Sequence, residues 1–180
     1  MRKLVGLYSS APQSGKSTVA QWLCKEHGYV VVPFAQTLKE ALIPILVALG
    51  HTETDAKQLV TYDKHTYLPD VRLSVRQLLQ TLGTEWGRQC VHPDLWLMCW
   101  KKRIEAYENV VVDDVRFPNE ADLVRSLGGS MWLVQRETSA QMSGHSSEGS
   151  LNAYPYFDQI VKNRGSLDEL TLTLQQTMLP

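Results

Sequence analysis

A short segment near the start of the chain combines the residue types that bind phosphate groups. Residues 10–18 read SAPQSGKST and fit the pattern GxxxxGK[ST], with Ser10 in place of the first glycine. An apolar run precedes the segment and helical spacing follows it, so we expect the order strand, tight loop, helix. Backbone N–H groups at a helix start bind anionic oxygens; Lys16 would reach the β- and γ-phosphates and the Ser17 hydroxyl would ligate Mg²⁺. The alternative is an ordinary strand-to-helix turn.

Two adjacent carboxylates, Asp113 and Asp114, come at the end of the apolar run NVVVD, which begins at residue 109. A run that is apolar at every position is typical of a strand buried on both faces of a parallel sheet. At the end of a strand beside a phosphate-binding loop, a carboxylate would hold the metal or its water. The alternative is a turn or capping role ahead of the helix that Pro118 predicts. We expect at least one of the two carboxylates to serve the metal.

A second group of polar residues lies on a predicted helix over residues 74–88. Arg76, Gln80 and Thr84 are four residues apart, opposite an apolar stripe made by Val75, Leu78, Leu79, Leu82 and Trp86. Such residues are most often the solvated face of a helix. Together with Arg88 and Lys39, they could instead face an anionic group and form a second phosphate site.

The elements that must position these residues alternate between strand and helix. Strands are predicted at 3–8, 29–33, 109–113, 131–134 and 157–161. Helices are predicted at 17–27, 37–49, 74–88, 92–108, 118–127 and 166–178. We expect Gly28 to end the first helix, Pro44 to kink or divide the second, and Ser166 with Glu169 to form a capping box on the last. The alternation indicates an α/β fold with a five-stranded parallel sheet in one domain over residues 1–180.

Composition excludes several classes of function. The 180 residues carry a formal charge of −1, which argues against nucleic-acid binding or membrane association through a basic surface. The longest apolar stretch, 41–50, is about half the length of a membrane span, and the first residues do not read as a signal peptide. Three cysteines without a CxxC pair, and histidines without metal-ligand spacing, predict neither a disulfide scaffold nor a zinc site. We expect a reduced, cytoplasmic protein that does not bind nucleic acid or a membrane.

Several segments, in order along nearly the whole chain, resemble the bacteriophage deoxynucleoside monophosphate kinases, which belong to the P-loop nucleoside monophosphate kinases. The resemblance is carried by SGKST at 14–18, FAQTLKEAL at 34–42, RQLLQTLGTEWGR at 76–88, HPDLWLMCW at 92–100, VVVDDVRFPNEAD at 110–122, GHSSE at 144–148 and VKNRGSLDEL at 161–170. It implies a three-layer P-loop fold with a monophosphate-binding region at about 34–100 and a lid at about 137–152. It also implies transfer of the ATP γ-phosphoryl group to a deoxynucleoside monophosphate, giving the diphosphate and ADP, with Mg²⁺ as cofactor.

The resemblance further implies a role for each matching residue. Those that would contact the phosphates of ATP and its Mg²⁺ are Ser14, Gly15, Lys16, Ser17 and Thr18, while Asn163 and Gly165 would border the adenine. Those that would hold the phosphate and base of the acceptor are Lys39, Arg76, Gln80, Thr84 and Arg88, with His145 and Glu148 near the substrate end of the lid. Asp114 would orient Mg²⁺ or the acceptor, and Arg116 and Arg136 would neutralise the transferred phosphoryl group.

Two other functions remain open from the sequence. Another P-loop small-molecule kinase, acting on a ribonucleoside monophosphate or on dephospho-coenzyme A, would share the phosphate loop. A regulatory nucleotide-binding protein of the guanine-switch type would need NKxD, whereas residues 163–166 read NRGS. The expected partners are small-molecule nucleotides, and the sequence leaves a homodimer open.

Overall fold

A computed structural model describes residues 3–136, 151 and 153–177. Of the predicted lid at about 137–152, only residue 151 is described, so His145 and Glu148 lie outside the described residues. Arg136, which precedes the lid, is described. The strands are β1 Lys3–Tyr8, β2 Val30–Val31, β3 Tyr67–Leu68, β4 Leu73–Ser74, β5 Asn109–Val112, β6 Ser130–Arg136 and β7 Gln159–Asn163. The α-helices are α1 Lys16–His27, α2 Ala35–Ala48, α3 Glu53–Thr61, α4 Val75–Gln80, α5 Leu95–Arg103, α6 Pro118–Ser126 and α7 Leu167–Thr177.

Tertiary contacts divide the chain into two compact units. The first consists of Met1–Pro33 together with Ile104–Pro180, and the second of Phe34–Arg103. The first contains the phosphate-loop segment, and the second spans nearly the same residues as the predicted monophosphate-binding region. In the described part of the chain, no helix is long and apolar enough to cross a membrane.

The first unit is built on the predicted five-stranded sheet. Its strands lie in the order β2-β5-β1-β6-β7, and every pairing is parallel. The order places β1 in the centre, because the chain leaves β1 through α1 and later returns to pair on both its sides. The carboxyl ends of β1 and of its neighbour β5 therefore lie side by side at one edge of the sheet. The α/β fold and the five parallel strands are confirmed.

Helices cover the sheet and bury the apolar side chains of its strands. One face packs against α1 and α7, in a core of Val5, Leu7, Val19, Ala20, Leu23, Tyr29, Val111, Trp132, Val134, Val161, Leu170 and Leu174. Helix α6 packs against β1 and β6, where Gly129 lets Leu4 and Val124 approach the backbone closely. As predicted, Gly28 ends α1 in a left-handed conformation, with φ of 67°, and its N–H bonds the Cys24 carbonyl.

The second unit holds two elements that the sequence analysis did not predict. One is the short helix α3, whose N-cap residue Thr52 accepts the backbone N–H of Asp55 with its side chain. The other is an antiparallel hairpin of β3 and β4, between the helices predicted at 37–49 and 74–88. Each strand of the hairpin has two residues, too few to show a period, and this explains why the pattern missed them.

Pro44 does not divide its helix. Helix α2 runs unbroken from Ala35 to Ala48 with Pro44 inside it. Proline removes one helical hydrogen bond and costs about 3 kcal/mol in a helix interior. Leu42 and Leu46, on either side of the proline, are buried in the core of the second unit, so their packing stabilises the helix across it.

The predicted helix over 74–88 changes its winding partway along. Ser74 caps α4 in a capping box with Gln77, and the helix then continues as a wider π-helix, Thr81–Val91. A π-helix has i→i+5 hydrogen bonds and more residues in each turn than an α-helix, so a stripe extrapolated at α-helical spacing no longer holds. Trp86, predicted on the buried stripe, is accordingly exposed, whereas Val75 is buried. The next helix is shorter than predicted, since α5 ends at Arg103 and a 3₁₀ turn, Ile104–Ala106, follows it.

Candidate active site

The phosphate-loop segment lies between β1 and α1, as predicted. Gly15 occupies the N-cap position of α1 with φ of 101°, a left-handed conformation that glycine adopts without strain. No side chain caps this helix, and its first turn contains no acidic residue, whereas Thr52 caps α3 and Ser74 caps α4. The helix dipole and the N–H groups of Lys16 and its neighbours therefore favour an anion at this end.

The strained position of the loop is Gln13. The sequence pattern places the unusual residue at Ser10, where a glycine is missing, but Ser10 does not have a positive φ. Gln13 instead has φ of 54°, in the left-handed region that costs a non-glycine residue about 1–2 kcal/mol. The loop therefore tolerates serine at its first position because the left-handed turn falls three residues later.

A cavity of about 380 Å³ opens on the phosphate loop. Its lining residues are Gln13, Ser14, Gly15, Lys16, Ser17, Thr18, Arg136, Asn163, Gly165, Ser166, Leu167 and Leu170. Every residue predicted to contact ATP borders this cavity, and so does Arg136. The Nη1 atom of Arg136 donates a hydrogen bond to the Gln13 carbonyl at 3.0 Å. The structure thus brings one of the predicted catalytic arginines to the tip of the phosphate loop.

A second cavity, of about 200 Å³, contains the remaining predicted catalytic residues. It is lined by Tyr8, Ser9, Ser10, Ala11, Pro12, Lys16, Asp113, Asp114, Val115 and Arg116. The predicted metal ligands do not share a cavity, because Ser17 borders the first and Asp114 the second. Lys16 borders both cavities, so this residue lies between the first cavity, on the phosphate loop, and the second, which contains the carboxylates.

Burial shifts the pKa of the Cys24 thiol and of the Tyr8 phenol. Burial raises the pKa of the Cys24 thiol on α1. A hydrogen bond with the Val31 backbone lowers this pKa in part, and the negative charge of Asp113 raises it. Burial also raises the pKa of the Tyr8 phenol, which a backbone hydrogen bond of Leu151 partly offsets, so Tyr8 stays protonated at neutral pH.

A buried carboxylate that the sequence analysis did not single out shapes the loop between β5 and α6. Glu120 is 3% exposed, and its Oε2 accepts the backbone N–H of Arg116 at 2.7 Å and that of Phe117 at 3.1 Å. These bonds hold the loop that carries Asp114 and Arg116. The sequence could have indicated this role of Glu120, because a proline followed two residues later by a glutamate is typical of helix N-termini.

The residues present fit a nucleoside triphosphate with Mg²⁺. The Ser14 hydroxyl is buried and has no hydrogen-bond partner among the described residues, and a polar group in that state is expected to meet a ligand or water. Among the described residues no three His, Cys, Asp or Glu side chains gather as a metal cage. Mg²⁺ is usually bound by one or two carboxylates together with substrate phosphates, and Asp113 and Asp114 offer that number.

Five of the predicted acceptor-binding residues lie in the second unit, whereas His145 and Glu148 lie outside the described residues. Lys39 on α2 and Arg76 on α4 are half-buried, Gln80 and Thr84 are exposed, and Arg88 in the π-helix is half-buried. Thr84 and Arg88 are four residues apart, close to one turn of the wide helix, so they share a face. Whether this face binds the acceptor's phosphate stays a prediction.

Two glycines of the π-helix allow this region to pack closely. The indole Nε1 of Trp96 donates a buried hydrogen bond to the Gly83 carbonyl at 2.8 Å. A Cβ atom on Gly87 would lie 2.6 Å from the same Nε1 and 2.9 Å from the Leu82 carbonyl oxygen. Glycine at 87 is therefore required by the indole of Trp96, which fastens α5 to the π-helix.

Comparison with known proteins finds a family whose sequences are similar to this chain. The sequence profile of the deoxynucleotide monophosphate kinase family matches residues 45–174. A protein of Acanthamoeba polyphaga mimivirus with the provisional name deoxynucleotide monophosphate kinase is 27% identical over 182 residues, covering 92% of this chain and 91% of its own. The deoxynucleoside-5'-monophosphate kinase of Escherichia phage T5 is 33% identical over 125 residues, covering 64% of this chain. This chain matches 50% of the length of the phage enzyme.

Among solved structures, the dephospho-CoA kinase from Campylobacter jejuni is similar with a TM-score of 0.51. The likeness covers 98% of this chain and 96% of that one at 13% identity, and it therefore concerns the fold alone. The family profile matches well over half of the chain, from the last turn of α2 onward, and includes both carboxylates of the second cavity and most of α7. The chain belongs to the deoxynucleotide monophosphate kinase family.

Proposed function

We propose that this kinase binds ATP and Mg²⁺ at the phosphate loop of the first unit and the deoxynucleoside monophosphate on the second unit. The observation that carries the proposal is the position of Lys16, which borders the phosphate-loop cavity and the carboxylate cavity at once. A cation in that position can contact the donor phosphates at the point where they approach the acidic residues. The family supplies the class of reaction, a phosphotransfer to a deoxynucleotide.

In the reaction, an oxygen of the acceptor's phosphate attacks the γ-phosphorus of ATP. The bond between the γ-phosphorus and the bridging oxygen breaks, and ADP leaves with the electron pair. The attacking oxygen is already anionic, so the chain needs no general base. Catalysis then rests on holding the reactants in line and neutralising charge on the transferred group.

The protein side chains that would neutralise this charge are Lys16, Arg116 and Arg136. Lys16 and Arg136 border the cavity that the donor would occupy, and Arg116 borders the carboxylate cavity. An arginine acting on the transition state contributes about 10³–10⁵ in rate in related phosphotransferases. Arg136 would exchange its hydrogen bond to the Gln13 carbonyl for one to phosphate.

The Mg²⁺ ion would be held by Ser17 and by Asp114 or Asp113, together with phosphate oxygens. When bound, Mg²⁺ supplies charge neutralisation of the β- and γ-phosphates. Ser17 is exposed in the first turn of α1, and both aspartates are half-buried directly after β5. A carboxylate in that position would orient the ion toward the donor.

A survey of acceptors tests the proposal. ADP formation from ATP and Mg²⁺ is measured by a coupled assay against the deoxynucleoside monophosphates, the ribonucleoside monophosphates and dephospho-coenzyme A. Turnover that is fastest with one or more deoxynucleoside monophosphates supports the proposal. Turnover only with dephospho-coenzyme A or a ribonucleotide would assign another small-molecule kinase, and binding of ATP without turnover of any acceptor would assign a regulatory role.

A further inference from the structure

The last residue of β7, Asn163, contacts the phosphate loop through its side chain. Its Nδ2 atom donates a hydrogen bond to the Ser14 carbonyl at 2.8 Å, across 149 residues of sequence. Asn163 is 6% exposed and Ser14 is 1% exposed, so water has little access to this bond. In such surroundings a hydrogen bond is stronger and its loss more costly than at the surface.

The same amide also packs against the glycine that begins α1. A Cβ atom on Gly15 would lie 2.6 Å from the Nδ2 atom of Asn163. Gly15 is therefore required by two features, its positive φ and the closeness of this amide. The carbonyl of Ser14 and the N-cap of α1 are thus both positioned by the side chain of Asn163.

The other end of the amide is engaged as well. Its Oδ1 atom accepts the backbone N–H of Gly165 at 3.1 Å, which shapes the turn between β7 and α7. An amide that donates to one loop and accepts from the other links the two loops around the first cavity. These two bonds hold the amide between the two loops, and the cavity lining beyond it is made by Gly165, Ser166 and Leu167.

We propose that Asn163 is a positioning residue that keeps the phosphate loop in the conformation that binds the donor's phosphates. The inference rests on the proposed function, because it concerns the same donor site. It assigns Asn163 to the phosphates and not to the adenine that the family resemblance implied. The residue acts through Ser14 and Gly15 and does not itself touch the reacting atoms.

The test compares two variants that differ in what they keep. Asn163→Leu has a similar volume, no charge, and neither hydrogen bond. Asn163→Asp keeps an acceptor for the Gly165 N–H and loses the donor to the Ser14 carbonyl. The exposed neighbour on the same strand provides the control, Lys162→Ala. Dissociation constants are measured by calorimetry for tripolyphosphate with Mg²⁺, which probes the phosphate site alone, and for adenosine, which probes the base site alone.

Both Asn163 variants are expected to bind tripolyphosphate about tenfold more weakly or worse, while adenosine binding changes less than about twofold, as in the control. Weaker adenosine binding with unchanged tripolyphosphate binding would overturn the inference and make Asn163 a base-reading residue. Weaker tripolyphosphate binding in the Asp variant alone would also overturn the inference, since charge repulsion would then explain the loss.

Thermal unfolding shows whether each variant folds, and if the Leu variant does not, Asn163→Ser takes its place as the neutral variant. A wild-type protein that binds neither tripolyphosphate nor ATP would contradict the proposed function itself.

Discussion

At the scale of single residues, the proposed site is centred on Lys16. Lys16 follows the N-cap glycine of α1 and is half-buried where the two cavities meet. The apolar residues that hold α1 to the sheet, Val19, Ala20 and Leu23, begin one turn later. Activity and stability should therefore separate at this position.

We expect Lys16→Ala to lower kcat by at least about 100-fold, or about 2.7 kcal/mol of activation free energy, with little change in Tm. The physical reason is the loss of a positive charge at the donor phosphates. Lys25→Ala, which removes an exposed lysine from the last turn of the same helix, should leave both quantities near the wild-type values. Steady-state kinetics and thermal unfolding of the three proteins check this, and near-wild-type turnover in Lys16→Ala would remove the phosphate loop from the mechanism.

At the scale of elements, the start of α6 shapes the loop before it, which carries Asp114 and Arg116. The buried carboxylate of Glu120 accepts two backbone N–H groups of that loop. Removing it would leave two donors without this partner in a half-buried place. The geometry of Asp114 and Arg116 would then depend on a looser backbone.

We expect Glu120→Ala to reduce the free energy of unfolding by about 1–3 kcal/mol and to lower kcat as well. Thr52→Ala is the matched control, because it removes the N-cap of α3 in the other unit. It should cost about 1 kcal/mol of stability and leave the kcat of the folded protein unchanged. Denaturant unfolding and initial rates distinguish the two, and equal effects of both variants on kcat would show that Glu120 matters only for stability.

The close packing of Trp96 against the π-helix of the second unit leads to a prediction about stability. A methyl group on Gly87 would overlap the indole of Trp96 and the Leu82 carbonyl. We expect Gly87→Ala to destabilise the protein by about 1–3 kcal/mol, the usual cost of overpacking. Gly50→Ala serves as a contrast, since its Cβ would meet nothing within 4 Å and only its φ of 96° would oppose the change. Gly87→Ala with wild-type Tm and a wild-type fluorescence spectrum of the tryptophans would contradict this packing.

At the scale of the whole molecule, the predicted donor and acceptor residues fall in different units. Arg88 belongs to Phe34–Arg103, and the phosphate loop belongs to the unit that contains the parallel sheet. Each unit has its own core. A change in one site should therefore affect one substrate and not the other.

We expect Arg88→Ala to raise KM for the deoxynucleoside monophosphate by about 10–100-fold, the effect of losing one charged hydrogen bond to a phosphate. The dissociation constant for ATP should stay within about twofold of the wild-type value. Arg72→Ala, which removes an exposed arginine from the same unit, should change neither. Loss of ATP affinity with intact affinity for the monophosphate would mean that the two sites are reversed.

The acid stability of the first unit should depend on Asp158. Burial raises its pKa, but the Met131 backbone N–H and the Arg125 guanidinium lower it more, and the net pKa lies below the ordinary value. A lowered folded pKa stabilises the protein above the unfolded pKa of about 4, and this contribution is lost as the pH falls through the folded pKa.

We therefore expect Asp158→Asn to lower Tm by at most about 2–4 °C at pH 7, a modest value because both charged side chains are more than a third exposed and screened by solvent. As the pH falls below about 4, the Tm values of variant and wild type should converge. Thermal unfolding from pH 7 to the lowest pH at which the protein folds measures the difference. A constant difference across that range would mean that the charge of Asp158 contributes nothing.

The sequence by itself determined the parts that rest on local pattern. Short-range spacing predicted the buried strand before Asp113, the phosphate loop before α1 and the capping box of Ser166 with Glu169, in which backbone and side-chain bonds are both present. These features depend on residues within a few positions of one another. The family also followed from the sequence, because its segments keep their order along the chain.

Only the tertiary structure decided which distant residues meet. Nothing in local spacing indicates that Asn163 bonds the Ser14 carbonyl, that Arg136 bonds the Gln13 carbonyl, or that Lys16 borders both cavities. These contacts arise because the parallel sheet brings the ends of β1, β5, β6 and β7 together from separate parts of the chain. The π-helical winding of Thr81–Val91 could not be predicted from the spacing of apolar residues, because that spacing was compared with the α-helical turn. Long-range packing therefore arranges the site, while local sequence supplies its residues.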